Sequence, residues 1–252
     1  MQAYSPAFAR VYNLRWAAFA KQAAPYLFDF YVTTAKGQLK HPVLDLCCGT
    51  GQVASYFLDK GYPVTGIDLS SGMLEIAMEN SSAYLSSGQV NWLLADAANF
   101  TLAERFGLVI STFDALNHLD SMSALKKCFQ CVFEVLEPEG WFIFDLNTRA
   151  GFQRWNSISI EDTEEMMVIN RGIFDETRDL VITRISGFVK TYDRLYERFE
   201  EVVYETVFEL QAVRHALLET GWGSVHYARL ASLNEPVADP EAETRVFILA
   251  RK

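Results

Sequence analysis

The sequence predicts an α/β protein built on a Rossmann-like, doubly wound sheet of seven mostly parallel strands. Between residues 42 and 147, short apolar runs alternate with amphipathic helical patterns, and the first run leads into a turn with two glycines. Short buried strands that alternate with helices favour right-handed crossovers and a parallel sheet. After residue 164 the alternation stops and β-rich runs follow one another. We therefore expect N-terminal helices, the sheet and an inserted antiparallel β meander.

The elements can be assigned in chain order. Residues 1–36 form an N-terminal helical segment, because Ser5-Pro6 is typical of a helix start. Aromatic residues follow at helical spacing: Phe8, Tyr12, Trp16 and Phe19. The strands of the sheet are expected at 43–46, 63–68, 90–96, 106–112, 141–147, 224–230 and 245–250.

The Rossmann-like domain is expected to comprise residues 37–149 and 210–252, with the β insertion at 150–209. Three β-rich runs lie within 164–209, and they are separated by turn residues at 175–178 and at Asp193-Arg194. Apolar or β-branched residues alternate in the middle run, which indicates a half-buried antiparallel strand. The insertion is expected to cap a ligand pocket or to form a dimer contact.

Composition disfavours several classes of protein. A net charge of −10 argues against a nucleic-acid partner, which requires a positive surface. No apolar run approaches the roughly 20 residues of a membrane helix, and the first residues lack the pattern of a secretory signal. We therefore expect a cytoplasmic protein with no membrane partner. The four cysteines are expected to be reduced, and Cys128 and Cys131 lie on an apolar helical face typical of core residues rather than metal ligands.

The strongest functional signal is VLDLCCGTGQVA at residues 43–54, a strand followed by a glycine turn and a helix. Glycine permits a positive φ and close approach of a ligand, and the helix start offers free N–H donors. Asp45, before the turn, disfavours a pyrophosphate and suits an ammonium group. Asp68 and Asp96 end the next two strands, where one can accept from ribose hydroxyls and the other from an adenine amino group. S-adenosylmethionine carries all three groups.

Five segments together resemble class I S-adenosylmethionine-dependent methyltransferases. They are this segment, VTGIDLSSGML, LLADAANF, FGLVISTFDALNHL and LEPEGWFIFDLN. The resemblance is greatest to small-molecule-type bacterial members with a β insertion after strand five. It implies S-adenosylmethionine as cofactor and no metal. The residues that it places around the cofactor are Asp45, Cys47, Gly49 and Gly51 at the methionine part, Asp68, Leu69 and Met73 at the adenosine, Asp96 and Ala97 at the adenine, Thr112 and Phe113 at the methyl-donor end, and Tyr12, with Tyr4 as a second candidate, from the N-terminal helices. Cys47 stands where many members have glycine, and it is expected to fit if its φ is negative.

Candidate acceptor residues follow strand four. His118 can act as a general base near neutral pH, if the acceptor needs one. Asn117 can orient the acceptor and Asp114 can hold an ammonium group, but all three residues could instead cap the next helix. Arg149, Arg154 and Trp155 are further candidates. The acidic residues Glu197, Glu200, Glu201, Glu205 and Glu209 are expected to form a solvated face, or alternatively to attract a cationic acceptor.

The predicted activity is transfer of a methyl group to an N, O or C atom of a small molecule by in-line displacement. Nucleic-acid methyltransferases are disfavoured, because the chain reads STFDAL after strand four, without a D-P-P-Y or N-P-P-Y motif. Two alternatives stay open: an NAD-dependent oxidoreductase on the same fold, and a non-catalytic protein that binds S-adenosylmethionine. A homodimer through the β insertion is also possible.

Overall fold

The computed structural model describes residues 4–192 and 194–252, so Asp193 of the expected turn lies outside the described residues. The strands are β1 Val43–Leu46, β2 Val64–Asp68, β3 Val90–Leu94, β4 Phe106–Ser111, β5 Leu136–Asn147, β6 Ser157–Asp162, β7 Met166–Asp175, β8 Leu180–Lys190, β9 Tyr196–Thr206, β10 Ser224–Arg229, β11 Ser232–Pro236 and β12 Arg245–Arg251. The α-helices are α1 Pro6–Arg15, α2 Ala17–Tyr31, α3 Ala35–Gln38, α4 Gln52–Asp59, α5 Ser71–Asn80, α6 Ser82–Leu85, α7 Met122–Val135, α8 Arg149–Phe152 and α9 Leu210–Thr220. A 3-10 turn spans Ala115–His118.

The central sheet has the order β11-β10-β12-β5-β4-β1-β2-β3. Strands β1 to β5 are parallel, whereas β12, β10 and β11 are antiparallel to their neighbours. The fold class is confirmed, but the sheet has eight strands rather than seven. The additional strand, β11, is short, mostly exposed and ends at Pro236. Proline is tolerated at a sheet edge because no ladder hydrogen bond is needed there.

The parallel strands are buried on both faces, which explains their continuous apolar runs. All residues of β1 and β4 are buried. Helix α7 begins at Ser121, whose hydroxyl accepts the N–H of Ala124. Its buried face includes Leu125, Cys128 and Phe129, so Cys128 is a core residue.

The insertion forms a separate four-stranded antiparallel sheet of order β6-β7-β8-β9, one strand more than the runs predicted. In β8, Val181, Thr183 and Ile185 are buried on the inner face, and the residues between them face outward. The inner face packs against α1, where the rings of Phe8 and Phe199 have centroids 6.0 Å apart. The two sheets and α1 therefore enclose a common interior.

The N-terminal segment consists of three helices. Ser5 caps α1 and also donates its N–H to Glu201 of β9 at 3.0 Å. Arg10 and Arg15 of α1 form ion pairs with Glu197 of β9 and Glu161 of β6. Helix α1 is thus tied to the insertion sheet along its length. In the described part of the chain, no helix is long and apolar enough to cross a membrane.

Candidate functional site

A cavity of about 190 Å³ lies outside the carboxyl ends of β1, β2 and β4, between the central sheet, α1 and the insertion sheet. This is the edge where open α/β sheets bind ligands. Nine of the predicted cofactor contacts line it: Tyr12, Cys47, Gly49, Asp68, Leu69, Met73, Ala97, Thr112 and Phe113. Tyr4 also lines it. The cavity therefore brings together residues from the ends of four strands, β1 to β4.

The glycine turn has the backbone conformation that its sequence predicts. Gly49 and Gly51 have φ values of +53° and +78°. A Cβ atom on Gly51 would lie 2.7 Å from the Trp92 ring, so both conformation and space require glycine there. Cys47 also has a positive φ, +58°, although it was expected to fit the turn with a negative φ. A side chain in this region costs roughly 1–2 kcal/mol, so the turn carries strain where glycine would carry none.

Asp68 joins the glycine turn to the start of α5. Its carboxylate accepts the N–H of Gly49 at 2.8 Å and the N–H of Ser70 at 2.9 Å. Burial raises the pKa of Asp68, and the backbone hydrogen bonds partly offset that effect. A carboxylate held at the rim of the cavity by two amides is well placed to accept from a ligand as well.

Asp45 and Asp96 do not line the cavity, nor does Gly51. Asp45 is buried and accepts the N–H of Ala54 at 3.1 Å, which fastens the first turn of α4 to β1. Burial raises the pKa of Asp45 to about 7. Asp96 accepts the N–H of Ala98 at 2.8 Å and so shapes the turn that presents Ala97 to the cavity.

The chain after β4 turns sharply at Phe113 and Asp114, whose φ values are +66° and +50°. The carboxylate of Asp145 accepts both of their N–H groups, at 2.6 and 3.0 Å. Arg245 pairs with Asp145 and with Asp114, the latter at 2.8 Å. This buried network holds two adjacent residues in a sparsely populated conformation, as is common near functional sites. Asp114 is therefore already paired, rather than available as predicted for an ammonium group.

His118 and Asn117 occupy different environments. His118 lines the cavity, and its Nδ1 lies 3.2 Å from the carbonyl oxygen of Tyr204. If Nδ1 donates to that carbonyl, Nε2 is left as an acceptor. Asn117 is fully buried outside the lining. Its amide donates to the carbonyls of Asn147 and Thr206 and accepts the N–H of Asn147, so it joins the 3-10 turn to β5 and β9.

The three candidates that follow β5 in the sequence are only partly brought to the cavity. Trp155 lines the cavity and donates its indole N–H to Thr183 at 2.8 Å, whereas Arg154 does not line it. Arg149 instead pairs with Asp179 and Glu209 near the surface.

Glu205 is buried in the cavity wall, contrary to the solvated face expected for the acidic residues of β9, and Asn170 also lines the cavity. The alternation along β9 could have identified Glu205. It shares its side of the strand with Phe199 and Val203, which also face the interior.

Comparisons with known proteins identify relatives of this chain. Residues 43–140 match the family model described as "Methyltransferase domain". The protein named "Putative methyltransferase YqeM", from Bacillus subtilis (strain 168), is 30% identical over 216 residues, which cover 84% of this chain and 85% of that protein. A demethylmenaquinone methyltransferase of Leptospira interrogans is 36% identical over 107 residues, which cover 40% of this chain and 41% of that protein.

Two solved structures share the fold. An S-adenosylmethionine-dependent methyltransferase from Clostridium acetobutylicum ATCC 824 superposes with a TM-score of 0.77 at 24% identity, covering 97% of each chain. The sugar N-methyltransferase KedS8 of Streptoalloteichus superposes with a TM-score of 0.76 at 18% identity, covering 100% of this chain and 95% of that one.

The cavity fits the cofactor of this family. It offers a carboxylate, Asp68, beside a glycine turn with positive φ values, and apolar surface from Leu69 and Met73 for a flat base. Carboxylates at a strand end suit ribose hydroxyls, and apolar side chains suit an adenine. By sequence, cavity and fold, the chain belongs to the class I S-adenosylmethionine-dependent methyltransferases.

Proposed function

We propose that this enzyme methylates a small-molecule acceptor bound between Phe113, His118 and the inner face of the insertion sheet. One observation carries the proposal: the cavity is continuous from Asp68 and the glycine turn to residues of β8 and β9. A ligand on the first side and an acceptor on the second would thus share one enclosed space, as in-line transfer requires.

The cofactor side would be formed by the predicted residues that line the cavity. Asp68 would accept from the ribose hydroxyls, Leu69, Met73 and Ala97 would pack on the base, and Cys47 and Gly49 would contact the methionine part. The bound cofactor supplies an electrophilic methyl group on its sulfonium. Because Asp45, Gly51 and Asp96 do not line the cavity, we assign them to holding the turns rather than to direct contact.

On the acceptor side, the enzyme's contribution is mainly alignment and exclusion of water, which can supply up to roughly 7–11 kcal/mol. Thr112 and Phe113 would lie beside the transferred group. His118 would take a proton from an acceptor that needs deprotonation. Asn117 would act only as a positioning residue, because its amide is fully used in holding the 3-10 turn.

The binding of S-adenosylhomocysteine, the demethylated product, tests this assignment against the oxidoreductase alternative. Calorimetric titration should show micromolar binding, about −8 kcal/mol, and no binding of NADH. Asp68→Asn should weaken binding at least tenfold. Asp45→Asn, the matched substitution on the neighbouring strand, should change it less than threefold, since Asp45 does not line the cavity. Binding of NADH in place of S-adenosylhomocysteine would overturn the proposal.

A non-catalytic binding protein would bind S-adenosylhomocysteine equally well. Turnover distinguishes that alternative: release of S-adenosylhomocysteine from S-adenosylmethionine should depend on an added acceptor. If no acceptor from a broad small-molecule set accelerates the release above the background rate, the enzymatic assignment fails.

We further propose that the enzyme is a cytoplasmic homodimer without nucleic-acid or membrane partners, and that the outer face of the insertion sheet forms the dimer contact. That face exposes apolar side chains at Ile158, Ile160, Phe188 and Tyr204. Large exposed apolar surface often marks an interface. Sedimentation that shows only monomer at micromolar concentration would contradict the dimer.

A further inference from the structure

The inner face of the insertion sheet presents four polar side chains to the interior near the cavity, and two of them are already satisfied. Glu201 accepts from the backbone and hydroxyl of Ser5, and Thr183 accepts from the Trp155 indole. The other two are Glu205 and Asn170. Within the described residues, Glu205 Oε2 and Asn170 Oδ1 are buried and accept no hydrogen bond. Both residues line the cavity.

Unpartnered buried acceptors are uncommon and costly, on the order of 1–3 kcal/mol each. Glu205 is only 6% exposed, so bulk solvent does not compensate it. A ligand that fills this part of the cavity without offering donors would leave both oxygens unsatisfied. The cavity wall therefore selects a ligand with N–H or O–H donors at this point.

Charge distinguishes between those donors. Glu205 lies against the carboxyl of Asp114. Arg245 is the only Lys or Arg of the described lining, and it is already paired with Asp114 and Asp145. Three carboxyl groups thus share one guanidinium. Burial and the neighbouring Asp114 also raise the pKa of Glu205, and Asn147 and Arg245 offset that effect only in part. A positively charged donor would complete the network, whereas a hydroxyl would not.

We propose that the methyl acceptor is an amine, and that Glu205 binds its nitrogen in the cavity. This inference rests on the proposed methyltransferase function and specifies its substrate class. After an ammonium group gives one proton to Glu205 or to water, the nitrogen lone pair forms the new N–C bond. The S–C bond breaks, its electron pair stays on sulfur, and the methylated nitrogen then releases its remaining extra proton. Glu205 is thereby a specificity-determining residue that contacts the substrate.

The test compares amines with alcohols of the same shape on protein saturated with S-adenosylhomocysteine. Suitable pairs are benzylamine with benzyl alcohol, 2-phenylethylamine with 2-phenylethanol, and cyclohexylamine with cyclohexanol. Binding is measured by calorimetry or ligand-observed NMR. In at least one pair the amine should bind tenfold or more tightly than its alcohol, and with S-adenosylmethionine the same amine should give an N-methyl product by mass spectrometry.

Variants connect the preference to Glu205. Glu205→Gln keeps the size but removes the charge, and it should reduce the amine preference at least fivefold without lowering the melting temperature, since it also removes a carboxyl beside Asp114. Glu200→Gln, on the outer face of the same strand, should leave it unchanged.

The outcomes are distinct. Absence of S-adenosylhomocysteine binding would refute the proposed function itself. If that binding is intact but no pair favours the amine, or if the preference survives in Glu205→Gln, the amine proposal is wrong while the methyltransferase assignment stands.

Discussion

The two walls of the cavity are built in different ways. On the wall formed by the central sheet, the carboxylate of Asp68 accepts two backbone N–H groups, and that of Asp45 accepts one. On the wall formed by the insertion, Glu205 and Asn170 each keep an oxygen without a donor. The two carboxylates of the central sheet are thus satisfied by the backbone, whereas these two side chains of the insertion are not. The difference teaches that the cofactor side is preorganised by the backbone, while the acceptor side depends on what enters it.

The largest expected effect concerns Arg245, which pairs with both Asp114 and Asp145. Arg245→Met would leave these carboxyls buried without a cation, which should cost about 3–5 kcal/mol of unfolding free energy. Urea denaturation measures it. Arg251→Met, which removes an exposed pair with Glu139, is the control and should cost less than 1 kcal/mol. Equal effects of the two substitutions would show that the buried network contributes no more to the unfolding free energy than an exposed ion pair.

A smaller effect is expected at the glycine turn. Gly51→Ala would place a methyl group 2.7 Å from Trp92 in a left-handed conformation, which should cost about 2–4 kcal/mol. Gly88→Ala has a similar positive φ, +69°, but nothing within 4 Å, so it should cost only about 1 kcal/mol. The difference between their melting temperatures isolates the steric part. If both variants melt together, the cofactor wall is less tightly packed than the structure indicates.

The smallest effect concerns Asp45 and depends on pH. Its pKa is raised to about 7 in the folded protein, above the roughly 3.9 of an unfolded aspartate. The folded state therefore holds a proton that the unfolded state has released, and stability should fall as pH rises from about 4 to 7. Asp45→Asn should remove this loss and add on the order of 2 kcal/mol at pH 8 but little at pH 4. Thermal unfolding at both pH values checks it, and an equal change at both would contradict the assignment.

The parallel sheet and the cofactor wall could be predicted because their signals are local in sequence. Residues 43–54 contain a buried strand, the glycine turn and the start of α4, and Asp68 ends an equally apolar run. The strands that were not predicted, β6 and β11, are mostly exposed edge strands. Edge strands require neither a continuous apolar run nor strict alternation, so periodicity does not detect them.

The surroundings of the acceptor could not be predicted, because they depend on pairs that are distant in the chain. Asp114 pairs with Arg245, which lies 131 positions later in the chain, and no local sequence pattern predicts that contact. Asn117 is a case in which local sequence was misleading. Its position beside His118 suggested a role in the cavity, but its amide donates to the carbonyls of Asn147 and Thr206. The sequence shows that β9 is rich in acidic residues. Only the alternation of side chains along the strand distinguishes the buried Glu205 from the outward-facing Glu200.

Helix α1 touches both walls at once. Tyr12 lies beside Gly49, Pro6 packs against Gly72 of α5, and Ser5 and Arg10 are bonded to β9. Movement of this helix would break contacts to the two walls together. We therefore expect α1 to act as a shared gate for cofactor entry and product release. Added salt, which weakens the exposed Arg10–Glu197 pair, should accelerate both steps in stopped-flow measurements.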